Sequence, residues 1–254
     1  MHGSSGGTNT ATITAGGNSP GNDEVESWNG SAWSEATEIN TARRAHSGGG
    51  TSTAQIIMGG GENPYFDVTE TWNGSAWTEV SDLNTGRGER LGGAGTTTDA
   101  LAFGGGDGSA SAKTEHYNGT SWSEGGDLGA ANTNIGGCGT GSSALQFGGN
   151  SAVDDTEEWT MSSTFRQLNV GDIYYNADSS SGVLKYVGYS TGAWASGGNL
   201  NTAREWLKGS GTQTAGLAAG GRATPGDNAG NTGATELYNG TSWSESGDLS
   251  AGRN

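Results

Sequence analysis

The chain has 254 residues, enough for one large all-β domain or two small ones, and its net charge of −16 disfavours nucleic acid and anionic membrane surfaces as partners. Fifty glycines and few Leu, Ile, Val or Phe would suggest disorder, yet nine Trp and seven Tyr supply large burial per residue and recur at fixed positions. Lone Cys138 leaves no internal disulfide, and no run approaches the roughly 18 apolar residues of a membrane span.

The N-terminal stretch MHGSSGGTNT has no apolar leader core, so the chain is expected to stay in the cytoplasm of its maker or to leave it by assembly or lysis. The first aromatic pair follows in WNGSAW at 28–33, which returns unchanged at 72–77 and as YNGTSW at 117–122 and 238–243. One full unit runs from 50 to 87 and the next from 95 to 132. Trp33, Trp77, Trp122 and then Phe165, as a degenerate copy, stand 44, 45 and 43 residues apart, the period of a repeat architecture. Within a unit, a small-residue stretch such as 90–96 reads as a tightly packed first strand. The apolar run 99–105 reads as a buried second strand ending on a glycine pair. TETW at 69–72 is a third strand, Asn73-Gly74 a tight turn, and AWTEV at 76–80 a fourth strand. Four antiparallel strands in about 40–45 residues make one propeller blade.

A single all-β propeller domain over 1–254 is therefore expected, with approximate blades 1–40, 41–84, 85–128, 129–169, an irregular 170–200, and 201–254. This count favours six blades. If the irregular stretch, with strands in DIYYNA and VLKYVG, is an insertion within one blade, five remain. Gly7-Thr8 matches Gly50-Thr51, so the chain starts and stops at one phase of the repeat. That predicts a ring of whole blades, a first strand supplied by the N-terminal residues, and neighbouring termini.

Glu26, Glu70, Glu115, Glu157 and Glu236 each stand two places before the first aromatic, so carboxylate and ring share a strand face. LNTAR-type segments end in Arg43, Arg87, Arg204 and Arg253. A repeated Glu and a repeated Arg suggest an ion pair fixing each blade to its neighbour, because an unpaired buried carboxylate is costly. Trp28, Trp33, Trp72, Trp77, Tyr117, Trp122, Trp194, Tyr238 and Trp243 are expected as inter-blade packing rather than sugar platforms. Trp206 lies off the repeat and is expected to be exposed. Asn29, Asn73, Asn118 and Asn239 head glycosylation sequons, but their constant repeat position is what a turn requires.

The order of Arg, small-residue strand, Gly-Gly, Glu-x-Trp/Tyr and Trp resembles the kelch repeat. Gly59-Gly60, Gly104-Gly105, Gly148-Gly149 and Gly220-Gly221 match its glycine pair, and Trp72/Trp77, Tyr117/Trp122 and Tyr238/Trp243 its aromatics. The resemblance covers nearly the whole chain except 161–190. The wording TExWNGxxWxExxxLNTAR is similar to kelch-like repeats in structural proteins of marine bacteriophages, and GDIYYNADSSSGVLKYV to β segments of phage tail fibres. These likenesses imply a virion protein made in the host cytoplasm, with other virion proteins as partners and a host glycan or surface protein as a further one. Galactose oxidase has the kelch fold, but its copper-radical site needs a Tyr cross-linked to Cys, two His and a second Tyr. Cys138, His2, His46 and His116 fall at unmatched phases of the repeat. The Asp-box of sialidases is also missing, so no enzyme and no cofactor is expected. Acidic loops such as 222–233 leave a structural Ca²⁺ open.

The variable loops after the glycine pairs are the expected recognition elements, since loops on a rigid scaffold commonly carry function. They run over 18–24, 62–67, 107–113, 150–155 and 222–233, and Tyr65, Phe66, Arg222 and Asp227 are the candidate ligand contacts. In a four-stranded blade they share a face with the blade-to-blade connections, opposite the Asn-Gly turns. The main expectation is a non-enzymatic adhesion or structural module. A purely architectural virion connector or decoration protein is the alternative, and a galactose-oxidase-like or glycosidase-like enzyme is disfavoured.

Overall fold

The computed structural model describes residues 3–17, 23–150, 153–161, 192–223 and 230–252, and the backbone of 173–176 and 183–186. Its strands form five antiparallel four-stranded sheets. The first sheet holds β1 (Ser4–Thr8), β2 (Ala11–Ala15), β3 (Val25–Trp28) and β4 (Trp33–Glu35). The second holds β5 (Ser47–Thr51), β6 (Ala54–Met58), β7 (Thr69–Trp72) and β8 (Trp77–Glu79). The third holds β9 (Gly92–Thr96), β10 (Asp99–Phe103), β11 (Thr114–Tyr117) and β12 (Trp122–Glu124). The fourth begins with β13 (Gly136–Gly139), β14 (Ser143–Phe147) and β15 (Thr156–Thr160); a separate hairpin, β16 (Ile173–Asn176) with β17 (Val183–Tyr186), follows. The sheet then resumes with β18 (Ala193–Ser196), and β19 (Lys208–Thr212), β20 (Ala215–Ala219), β21 (Thr235–Tyr238) and β22 (Trp243–Glu245) form the fifth.

The ring thus has five blades, not the six that the spacing favours. β15 pairs directly with β18, placing Trp159 opposite Trp194 as Trp72 lies opposite Trp77. Trp194 therefore holds the place assigned to Phe165, which lies outside the described residues. The 170–200 stretch is no blade: its hairpin interrupts the fourth sheet where the other blades have a four-residue turn. In those turns the Asn side chain supplies the fold, as when Asn73 Oδ1 accepts from the backbone N–H of Ser75 and of Ala76 at 3.0 Å. Gly74 takes the positive φ of 95°.

The innermost strands β1, β5, β9, β13 and β19 stand side by side around a central channel. Their glycines allow that crowding. A Cβ on Gly49 would come within 2.6 Å of the Gly95 carbonyl, and one on Gly209 within 2.7 Å of the Gly137 carbonyl. Both obstacles are the backbone of a neighbouring blade, which cannot step aside.

Four apolar clusters hold the blades together, each between consecutive sheets. The cluster between the first two blades joins Ile13, Val25 and Ile39 to Ile57, Trp72 and Trp77. The fourth-strand indole anchors each joint by donating to the preceding blade: Trp77 to the Thr37 carbonyl at 3.1 Å, Trp122 to the Ser81 carbonyl at 2.9 Å, Trp194 to Thr114 Oγ1 at 3.0 Å, and Trp243 to Thr156 Oγ1 at 3.1 Å. The repeated acid and base complete it. Arg43 pairs with Glu70 at 2.7 Å, Arg87 with Glu115 at 2.9 Å and Arg204 with Glu236 at 2.7 Å, all fully buried. The other carboxylate oxygen takes the backbone and side-chain N–H groups of Asn40, Asn84 or Asn201 in the same segments. At the third joint Asn132 replaces the arginine. Glu157 there accepts the Gly129 N–H at 2.8 Å, and burial pushes its carboxyl above the usual range.

Among the described residues no such cluster joins the fifth blade to the first. Trp33 is 48% exposed, and Leu249 is 40% exposed although its counterparts Leu83, Leu128 and Leu200 are buried. Trp28 is half-buried and donates to the Asn9 carbonyl of its own blade. Glu26 is exposed, and Arg253 lies outside the described residues. Trp33 and Glu26 thus differ from the packing and ion-pair roles expected of them, because among the described residues no neighbouring sheet is packed against their side of the first blade. A cleft of about 720 Å³ lies there, and Gly3 and Gly252 both line it.

Candidate binding site at the channel mouth

The loops after the glycine pairs and the blade-to-blade connections occupy one face. Gly60 N–H donates to the Arg87 carbonyl and Gly105 N–H to the Asn132 carbonyl, while Glu205 and Arg222 form a two-residue bridge. The Asn-Gly turns lie on the opposite face, where Gly74 and Gly119 meet Thr53 and Thr98 of the β5–β6 and β9–β10 turns.

On the loop face, the residue just ahead of or beginning each connection into an inner strand has left-handed backbone: Ala45 at φ 55°, Arg90 at 55°, Asn134 at 57° and Trp206 at 62°. For Arg and Trp this conformation is unusual and persists only when the surroundings impose it. Hydrogen bonds from blade to blade do so. Arg90 N–H donates to the Ala45 carbonyl at 3.1 Å, Asn134 N–H to the Glu89 carbonyl at 3.0 Å and Trp206 N–H to the Asn134 carbonyl at 3.1 Å.

These residues converge on the channel mouth. Arg90 Nη1 donates to Asn134 Oδ1 at 2.7 Å. Two guanidiniums pack on the Trp206 indole, Arg90 4.4 Å and Arg222 3.7 Å from its ring centre. Arg222 is itself buried and ion-paired to buried Glu205. Trp206 is therefore half-buried in a stack, not an exposed residue off the repeat. Lys208 reaches the mouth from the start of β19. Its side chain is exposed and donates to the Gly3 carbonyl at 3.5 Å, and the protein crowded around its base, with the charge of Arg90, lowers its pKa to about 8. Arg90 is also lowered, chiefly by burial, with Arg222 and Arg44 adding to the shift and Glu62 and Glu205 opposing it. His46, fully enclosed, accepts the Ser4 N–H at 3.3 Å through Nε2. Burial first, then the charges of Arg43 and Lys208, hold its pKa near 3, so it is neutral.

Of the sequence-predicted contacts, Arg222 belongs to this stack. Tyr65 donates to Oε1 of Glu89, the residue before Arg90 in the chain, at 2.9 Å. Phe66 is half-buried in its loop, its ring covering Gly61, and its backbone bonds to Gly60 and Arg87. Asp227 lies outside the described residues. Sequence reading does not find Arg90, Asn134 or Lys208; the only signal is the repeat phase that Arg90 and Asn134 share with Trp206, which the irregular fourth blade obscures. Cys138 is buried between the fourth and fifth blades with its thiol pushed up to about 12, and His116 pairs with Asp99 at 2.7 Å.

No protein-family model and no curated protein matches the chain. Its backbone is similar to many solved chains. Among them, the structure of YjhT shares 14% identity with a TM-score of 0.70, over 99% of this chain and 85% of that one. At that identity the likeness shows the fold alone, and the chain is a five-bladed β-propeller of four-stranded antiparallel sheets.

Proposed function

We propose that this protein is a non-enzymatic, kelch-like recognition module of a bacteriophage particle, binding a host-surface glycan or protein through its loop face. The observation that carries this reading is the asymmetry of the two faces. One carries near-identical Asn-Gly turns. The other gathers loops of different length and the Arg90–Trp206–Arg222 stack around the channel mouth. Aromatic and arginine side chains held on a rigid scaffold are the residue types that dominate recognition surfaces. The kelch-like repeat wording and the tail-fibre-like segment support the virion setting, and neither a cofactor nor a metal is part of the proposal.

A purely architectural role in the particle is the second reading. It is favoured by Trp33, Leu237 and Leu249, which are large apolar side chains left 40% or more exposed. Glycan-array and host-cell binding by the purified protein, with Tyr65→Ala and Arg222→Ala beside it, decides between them. Recognition predicts saturable binding that at least one substitution weakens about tenfold. Absence of binding to every glycan and host surface, with the protein present in purified particles by mass spectrometry, would favour the connector.

A further inference from the structure

We propose that the open joint between the fifth and first blades is a docking cleft for a Leu-Asn-x-x-Arg segment of another protein. The inference goes beyond recognition through the loop face and does not depend on it. The cleft of about 720 Å³ falls within the roughly 300–1,000 Å³ of ligand sites. Glu26 and Thr14 line it from the first blade, Leu249 and Gly252 from the fifth.

Three other joints hold the complex that this cleft lacks. In each, the carboxylate two places before the aromatic takes an arginine and an asparagine from one short segment of the preceding blade. Glu70 takes them from 39–43, Glu115 from 83–87 and Glu236 from 200–204. All three segments read Leu or Ile, Asn, Thr, Ala or Gly, Arg. Their first residues, Ile39, Leu83 and Leu200, are buried in the same clusters as Trp77, Trp122 and Trp243. The first blade presents the same receiving half. Glu26 and Trp28 share a strand face, Trp33 pairs with Trp28 across it, and Glu26 and Trp33 stand exposed. Among the described residues no ion pair reaches Glu26.

The fifth blade does not fill this half. Leu249 keeps its counterpart's seat, its N–H donating to the Gly233 carbonyl at 2.9 Å as that of Leu83 does to Asp67. Yet Leu249 is 40% exposed, and Ser250 stands where the other segments have the asparagine. The free face of this blade is apolar as well. Leu237 is 46% exposed, and Leu217 opposite it is half-buried where its counterparts Ile56, Leu101 and Leu145 are fully buried. An apolar side chain with a guanidinium four residues on matches these leucines and this carboxylate, as it does at the sealed joints. The chain's three complete segments are already buried with Arg43, Arg87 and Arg204, so the segment that fits comes from another protein.

The test is titration of the full chain with a terminally blocked peptide of the sequence of residues 199–205, NLNTARE, and with the same peptide carrying Met in place of its arginine. Calorimetry and the indole N–H resonance of Trp33, assigned with Trp33→Phe, read the binding. The resonance follows dissociation constants of about 1 mM, the range of so short a peptide. We expect saturable binding with a shift of the Trp33 signal, at least tenfold weaker for the Met peptide and in Glu26→Gln. The Met peptide tests the contact without altering the protein, so the outcome does not hang on the folding of a variant. No saturable binding, or equal affinity for the two peptides, overturns the proposal. Binding seen only in Arg253→Ala would assign the cleft to the chain's own C-terminal segment, and self-association abolished by Glu26→Gln would assign it to a second copy. Either result overturns the proposal as well.

Discussion

The Glu two places before each first aromatic shows how far one residue's role depends on its blade. Glu115 is buried with Arg87, Asn84 and the Asn84 backbone around it, whereas Glu26, at the same repeat position, is exposed. Removing the arginine leaves a buried carboxylate without its counter-charge. Arg87→Met is therefore expected to cost about 3–5 kcal/mol. Glu26→Gln, which empties no buried pair, should change stability by no more than about 0.5 kcal/mol. Chemical denaturation of both variants measures the contrast, and equal losses would refute the assignment of the buried pair as the blade-to-blade lock. The Glu–Arg repetition and its inter-blade pairing are legible in the sequence. The exposure of Glu26 is not, because it depends on which sheets are packed against each other.

At the scale of the element, each blade is written in the residue types its strands require. Gly-rich inner strands permit close approach at the channel, apolar second strands such as DALAF fill the joints, and alternating third strands place Glu and Trp on one face. The fourth blade follows the same design but replaces its turn with an insertion. Spacing misleads there, since strands in 173–186 imitate a blade while β15 and β18 find each other across them. If the hairpin is separable from the ring, exchanging residues 160–193 for Asn-Gly-Thr-Ser should give a folded protein with one cooperative thermal transition. Its midpoint should lie within about 5 °C of wild type. A chain that fails to fold after this exchange would show that the insertion is needed to build the fourth blade.

In the whole molecule, four joints are sealed by apolar clusters, and the joint between the last and first blades is lined by exposed Trp33, Leu249 and Glu26. Local opening follows such differences in burial. Amides of β3 and β4 should therefore exchange at least tenfold faster than those of β11 and β12, as read by hydrogen exchange and mass spectrometry. Uniform protection around the ring would mean that the first blade is held as firmly as the third.

By itself the sequence determined the propeller class, the strands within each repeat, the Asn-Gly turns, the Glu–Arg partners and the face on which the loops gather. All of these follow from local spacing and from residue types whose backbone or packing needs are strong. Only the tertiary structure decided the number of blades, the open joint and the channel-mouth site. The blade count depends on which strands pair across the interruption at 161–192, a choice made by the packing of Trp194 against Trp159 and Phe103. The mouth is assembled from one or two residues of each blade, Ser4, His46, Arg90, Asn134, Trp206 and Lys208, brought together where the inner strands surround the channel. No spacing along the chain encodes that meeting, because the residues become neighbours only around the channel axis.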